Sequence, residues 1–130
     1  MRLLLDTHVW IWSMSEPERL GSAAKAAMRE RGAELWLSPI SIWEALVLQR
    51  KGRIELRSSL DEMLRDQQSR GIMRIAPVTV EVALGAGRLK LDRQDPADNL
   101  LAATALVQGL TLVTADRKLL ACGQIECVRA

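Results

Sequence analysis

The sequence predicts an α/β fold: a central, mainly parallel five-stranded sheet with helices on both faces. Three observations point there. Five short apolar runs alternate with longer stretches of helical pattern. Most of those stretches open on a cap residue, and several close on glycine. No repeat, low-complexity tract or linker interrupts the alternation. Strands that alternate with helices pair in parallel, because each crossover carries the chain back along one face of the sheet. Such crossovers are right-handed.

Taken in order, "RLLL" at 2–5 reads as the first buried strand. His8 falls at the start of the helix that follows. Ser22 is expected to cap a helix reaching about Arg31, with Gly32 as its stop. "ELWL" at 34–37 is the second strand, with Trp36 in the core. Ser38 caps the next helix and Pro39 takes its first position, with the end near Lys51 and Gly52. Ser59 and Glu62 have capping-box spacing ahead of "LDEMLRDQQSR". "MRIAPV" at 73–78 is the third strand. Thr79 starts a helix whose Val80, Ala83, Leu84 and Gly87 share one face. Asp95-Pro96 opens "ADNLLAATALVQ", and Gly109 ends it. "LTLVT" at 110–114 and "IECV" at 125–128 complete the sheet.

A chain of 130 residues is long enough for one domain, residues 1–130, with a core that needs no disulfide staples. A net charge of +2 excludes a global basic field and leaves only local patches as a means of holding nucleic acid. Cys122 and Cys127 lack the further Cys or His ligands of a zinc site and read as free thiols in a reducing compartment. Asp6 and His8 break the first apolar run too early for a signal peptide. No run approaches the roughly 20 apolar residues of a membrane span. A cytoplasmic protein is expected.

The acids carry the functional reading. Asp6 ends the first strand, and Asp116 follows the fourth. In an open parallel sheet, ligands bind beyond the carboxyl ends of the strands. Glu44 lies in the first turns of the helix after strand two, and Asp98 in the first turn of the helix before strand four. Both positions fall on that same edge, so Asp6, Glu44, Asp98 and Asp116 can meet. Two carboxylates about 4 Å apart repel by roughly 4 kcal/mol at an effective dielectric near 20. No lysine or arginine holds an equivalent strand-end position. A divalent cation offsets the repulsion, and an all-oxygen donor set suits Mg²⁺ or Mn²⁺ better than Zn²⁺. Such a site acidifies a bound water and can hold it in line with a phosphodiester.

Each acid also has a local alternative. Asp95 and Asp98 in "DPAD" fit a helix cap and its box partner. Ser41 and Glu44 fit the same box, and Asp116 fits a cap for "RKLLA". Asp95 is read mainly as a cap with an outer role at the site. Thr7 and Thr114 flank the strand-end acids and are candidates to fix a carboxylate or a metal-bound water by hydrogen bonding.

"LLLDTHVWIW", the glutamate in "SPISIWEAL" and "DPADNLLAATALVQGLTLVTAD" resemble PIN-domain ribonucleases, and more closely the VapC-like toxins of type II toxin–antitoxin pairs. The resemblance runs the length of the chain. It implies a PIN-like α/β/α sandwich and Mg²⁺ or Mn²⁺ bound by Asp6, Glu44, Asp98 and Asp116. It further implies hydrolysis of single-stranded or looped RNA, a homodimer, and silencing by a small antitoxin that drapes over the active-site groove. Ala97 and Asn99 flank Asp98 where members of this subtype often carry an aromatic residue and an arginine.

Trp10, Trp12 and Trp43 are candidates to stack on a base or anchor a partner. Three basic groups could rim the acids and hold phosphates: Arg50, Lys51, Arg53 and Arg57; Arg88, Lys90 and Arg93; Arg117 and Lys118. Other classes fit less well. An aspartate-based phosphatase needs an acid two positions after Asp6, where His8 stands. A receiver domain needs paired acids at strand one and a lysine at strand five, and both are missing. A non-catalytic module of the same fold would not need the full acid set.

Overall fold

The computed structural model describes residues 1–89, 91 and 95–130. Among them, five strands form one sheet in the order β3-β2-β1-β4-β5, and every neighbouring pair is parallel. The strands are β1 (Arg2–Leu5), β2 (Glu34–Leu37), β3 (Met73–Ile75), β4 (Thr111–Thr114) and β5 (Cys127–Arg129). The helices are α1 (Thr7–Ser15), α2 (Ser22–Arg29), α3 (Pro39–Arg50), α4 (Leu60–Ser69), α5 (Val80–Arg88), α6 (Pro96–Gln108) and the short α7 (Arg117–Leu120). A 3₁₀ turn, Pro17–Arg19, follows α1.

Two-residue periodicity builds a layer on each side of the sheet. Leu3 and Leu5 of β1 face one cluster, with Trp10, Ala24, Ala45 and Leu60 from α1 to α4. Leu4 faces the other, with Val82, Leu101, Ala102 and Leu119 from α5, α6 and α7. The three leucines are fully buried, each contributing roughly 1.5–3 kcal/mol relative to exposure. Strand order reverses between β1 and β4, so this α/β/α sandwich has its topological switch point at the ends of those two strands.

The caps form at Ser38, Ser59, Thr79 and Asp95, each accepting from a backbone N–H in the first turn. Gly109 closes α6 at φ 66°, a left-handed conformation that glycine adopts without strain. Several expectations need correction. Gly21, not Ser22, caps α2, and the helix ends at Arg29. β3 stops at Ile75, because Pro77 has no N–H to extend the ladder beyond the Ala76 bond to Leu37. β5 starts at Cys127, set by its register with Leu112.

The largest correction concerns α5. Val80, Ala83, Leu84 and Gly87 do share a face, but that face is exposed, with Val80 71% and Leu84 57% accessible. Val82, Gly85 and Leu89 meet the core instead. Gly85 is the reason: a Cβ there would lie 3.3 Å from Val107 Cγ2, so the missing side chain lets α5 approach α6.

Candidate active site

β1 delivers Asp6 to the switch point, and the Asp6 N–H continues the ladder by donating to the Val113 carbonyl at 3.0 Å. Its carboxylate is held from both sides. Oδ1 accepts from the Thr7 backbone N–H at 2.8 Å, which makes Asp6 the cap of α1. Oδ2 accepts from the Thr114 hydroxyl at 2.6 Å. Thr114 is fully buried at the end of β4, and its oxygen also accepts from the Asp116 N–H at 3.0 Å. One hydroxyl thereby ties the two strand-end acids together.

The other acids arrive on helices. Glu44 projects from α3, and its Oε1 accepts from the buried Thr7 hydroxyl at 2.6 Å. Ser38, not Ser41, caps α3, so Glu44 is not a capping-box partner. Asp95 Oδ1 caps α6 through the N–H groups of Ala97 and Asp98, at 3.0 and 3.2 Å. Asp116 Oδ1 caps α7 through the N–H groups of Lys118 and Leu119, at 2.8 and 3.2 Å. The capping roles of Asp95 and Asp116 are therefore present, and they leave the second oxygen of each carboxylate out of the cap.

Asp6, Glu44, Asp95, Asp98 and Asp116 all line one open cavity of about 480 Å³. Burial raises the Asp6 carboxyl above its usual range, against the lowering effect of Thr114 and Thr7. Burial likewise raises Glu44, opposed by Thr7 and reinforced by Asp6 and Asp95. Asp98 is pushed up to about 7, first by burial and then by the charges of Asp95, Asp116, Asp6 and Glu44.

The donor set fits a hard divalent cation: every acid is an oxygen donor, and an added positive charge lowers the cost of ionising each of them. Among the described residues, no three His, Cys, Asp or Glu side chains are already gathered closely enough to hold a metal ion. The acids face a common opening instead of a common point, an arrangement suited to an ion that keeps part of its water shell.

The remaining candidates separate. Trp10 is fully buried, its Nε1–H donating to Gln67 Oε1 at 3.0 Å, so it is unavailable for stacking. Trp43 is 58% exposed, with the Arg50 guanidinium 5.6 Å from its ring centre. Trp12 lines the acidic cavity beside His8, their ring centres 5.9 Å apart. Trp36 is half-buried against the core, with Arg2 and Arg74 over its ring. None of Arg50, Lys51, Arg53, Arg57, Arg88, Arg117 and Lys118 lines the acidic cavity; Arg53 lines the adjoining one. Lys90 and Arg93 lie outside the described residues. Among the described residues, the arginine that does line the acids is Arg19, which the sequence reading missed. It sits in the 3₁₀ turn after α1, and no local pattern signals that this turn folds back over Trp12.

The family model for the PIN domain matches residues 3–123. Ribonuclease VapC22 of Mycobacterium tuberculosis is 40% identical over 118 residues, spanning 90% of this chain and 88% of the relative. Among solved structures, VapBC2 from Rickettsia felis, bound to a DNA fragment from its promoter, superposes with a TM-score of 0.68 at 15% identity, covering 99% of this chain and 98% of that one. VapBC-5 from Mycobacterium tuberculosis, of the VapBC family of toxin–antitoxin systems, superposes with a TM-score of 0.62 at 18% identity, covering 99% and 98%. The structural likenesses show the fold, while the family match and the 40% relative show the kinship: the chain belongs to the PIN-domain family.

Proposed function

We propose that the protein is a Mg²⁺- or Mn²⁺-dependent endoribonuclease that hydrolyses RNA phosphodiester bonds as the toxin of a type II toxin–antitoxin pair. The observation that carries this reading is the convergence of five carboxylates on one cavity at the sheet's switch point. Asp6, Glu44, Asp98 and Asp116 would hold the metal, partly through water, with Asp95 outside them. When bound, the ion supplies charge neutralisation and a water acidified for attack on phosphorus.

The chain's own residues set the geometry. Thr114 fixes Asp6 Oδ2, the Thr7 N–H fixes Oδ1, and the Thr7 hydroxyl fixes Glu44. These bonds aim two carboxylates before substrate arrives, which is the condition for electrostatic preorganisation. Asp98, close to half-protonated near pH 7 in the metal-free protein, is the acid most responsive to an added cation.

Kinship with a ribonuclease VapC and likeness to VapBC assemblies support a nuclease with a small cognate antitoxin. A homodimer and a single working domain over residues 1–130 belong to the same reading. Exposed Val80, Leu84, Leu106 and Val107 give α5 and α6 an apolar face for a second copy. Among the described residues no helix is long and apolar enough to cross a membrane, and we place the activity in the cytoplasm. The test is RNA cleavage by wild type and Asp6→Asn in Mg²⁺, Mn²⁺ and EDTA. Wild type is expected to cleave only with metal and the variant not at all. Equal cleavage by both would remove Asp6 from the centre.

A further inference from the structure

Beside the acidic cavity lies a second one of about 660 Å³, and the two share His8, Trp12 and Arg19 in their walls. Both volumes fall in the range of about 300–1,000 Å³ that accommodates small organic ligands. α1 starts at the Asp6 cap and carries Trp12 about 9 Å further along its axis. The 3₁₀ turn then brings the Arg19 guanidinium back over the Trp12 ring, 4.6 Å from its centre. Arg19 Nη1 also donates to Glu16 Oε2 at 3.1 Å, in a pair whose side chains are 56% and 50% exposed. Such an exposed ion pair contributes little to stability, so it does not commit Arg19 to Glu16.

Among the described residues lining the acidic cavity, Arg19 is the only lysine or arginine, set against five carboxylates. A polyanion approaching that cavity therefore meets the Arg19 guanidinium there, with the Trp12 indole beneath its fork. A flat guanidinium offers a two-pronged donor for phosphate and a stacking surface for a base. The second cavity is also lined by Arg53, by apolar Leu48 and Ile54, and by the acids Glu16 and Glu55.

Resting on the nuclease reading above, we propose that Arg19 binds the nucleotide next to the scissile phosphate of single-stranded RNA, with Trp12 as the residue that positions it. Arg19 contacts that nucleotide's phosphate and offers its plane to the base. Trp12 acts through Arg19, and its ring forms the wall behind it.

The test is equilibrium binding of a fluorescein-labelled, mixed-sequence single-stranded RNA by anisotropy, with Ca²⁺ in place of Mg²⁺, alongside separate cleavage assays in Mg²⁺. Arg19→Gln is expected to raise Kd about ten-fold and to lower the slope of log affinity against log salt by about 0.7, the loss of one single-strand phosphate contact. Arg19→Lys should restore the slope but not the full affinity. Trp12→Leu should weaken binding several-fold, and Trp12→Phe should recover most of it. In cleavage, the losses should fall on KM more than on kcat. Unchanged Kd and slope in Arg19→Gln would overturn the proposal. So would variants that bind RNA normally but lose inhibition by an antitoxin peptide, since the pair would then serve a protein partner. Arg19-dependent RNA binding without cleavage by wild type would support the subsite and remove the nuclease reading.

Discussion

Replacing Asp98 by asparagine tests the charge argument on a property other than activity. The carboxyl stands at about 7 in the folded protein against an ordinary value of 3.8. Between those values the native state holds a proton that the unfolded chain has released. Stability of the metal-free protein therefore falls as pH rises from about 4 and levels off above about 7. The full shift would correspond to about 4 kcal/mol at 1.36 kcal/mol per unit. Asp98 is only half-buried, and solvent screening reduces the penalty to about 1–2 kcal/mol. Asparagine keeps the shape and removes the charge. At pH 8 in EDTA the Asp98→Asn protein should melt about 3–8 °C above wild type, and the two curves should converge near pH 4. Adding Mg²⁺ should reverse the order. An ion at a hundred times its Kd stabilises the wild type by about 2.7 kcal/mol, and the variant has lost a donor. Cleavage should fall below about 1% of wild type, the loss expected when a group needed to bind the metal is gone. Circular-dichroism melts across pH, with and without metal, supply every number. A metal-free variant that melts below wild type at pH 8, or keeps the wild-type pH slope, would refute the reasoning.

Thr114→Val should cut cleavage about 10–100-fold, because it removes the hydroxyl that donates to Asp6 Oδ2 and accepts from the Asp116 N–H; a melt should show a cost of about 1–3 kcal/mol. Thr7→Val should act on Glu44 in the same way, and magnesium titration calorimetry should show weaker binding in both variants. Leu84→Asp, on the exposed face of α5, should leave the melting temperature within a few degrees and convert a dimer to monomer in sedimentation; an unchanged dimer would put the second copy elsewhere.

The sheet and its acidic edge were legible because one physical rule governs both. A strand buried on both faces is written as an uninterrupted apolar run, so the residue that ends it is conspicuous. Asp6 after "RLLL" and Asp116 after "LTLVT" are seen that way, and the strand–helix order places Glu44 and Asp98 on the same side. Cap residues were legible at Ser38 and Asp95, where proline follows, and at Thr79. What stayed hidden depends on contacts between elements. α5 is apolar on more than one side, and periodicity does not say which side meets α6; Gly85, the residue that decides it, reads only as a weak helix former. Trp10 and Trp12 sit on one helix, yet the first lies in the core with its N–H on Gln67 of α4, and Arg19 covers the second. Neither partner is adjacent in sequence.

The crowding argument itself changes once the hydrogen bonds are seen. From the sequence, only a cation could offset so many carboxylates. The fold supplies part of the compensation without one. Asp6 and Asp95 stand at the N-termini of α1 and α6, where the helix dipole favours negative charge. Two threonine hydroxyls donate at 2.6 Å. A helix terminus contributes about 0.3–1 kcal/mol, and a hydrogen bond to a charged group about 1.5–3 kcal/mol. Against them stand several repulsions of roughly 4 kcal/mol at close range, falling with distance. The balance remains unfavourable: burial first, and neighbouring acidic charges after it, hold Asp6, Glu44 and Asp98 above their usual range. Asp98, the acid with the value near neutrality, feels burial first and then the charges of its four acidic neighbours. On the nuclease reading proposed above, a divalent ion would complete a site that the strand ends, helix caps and threonines have already partly organised.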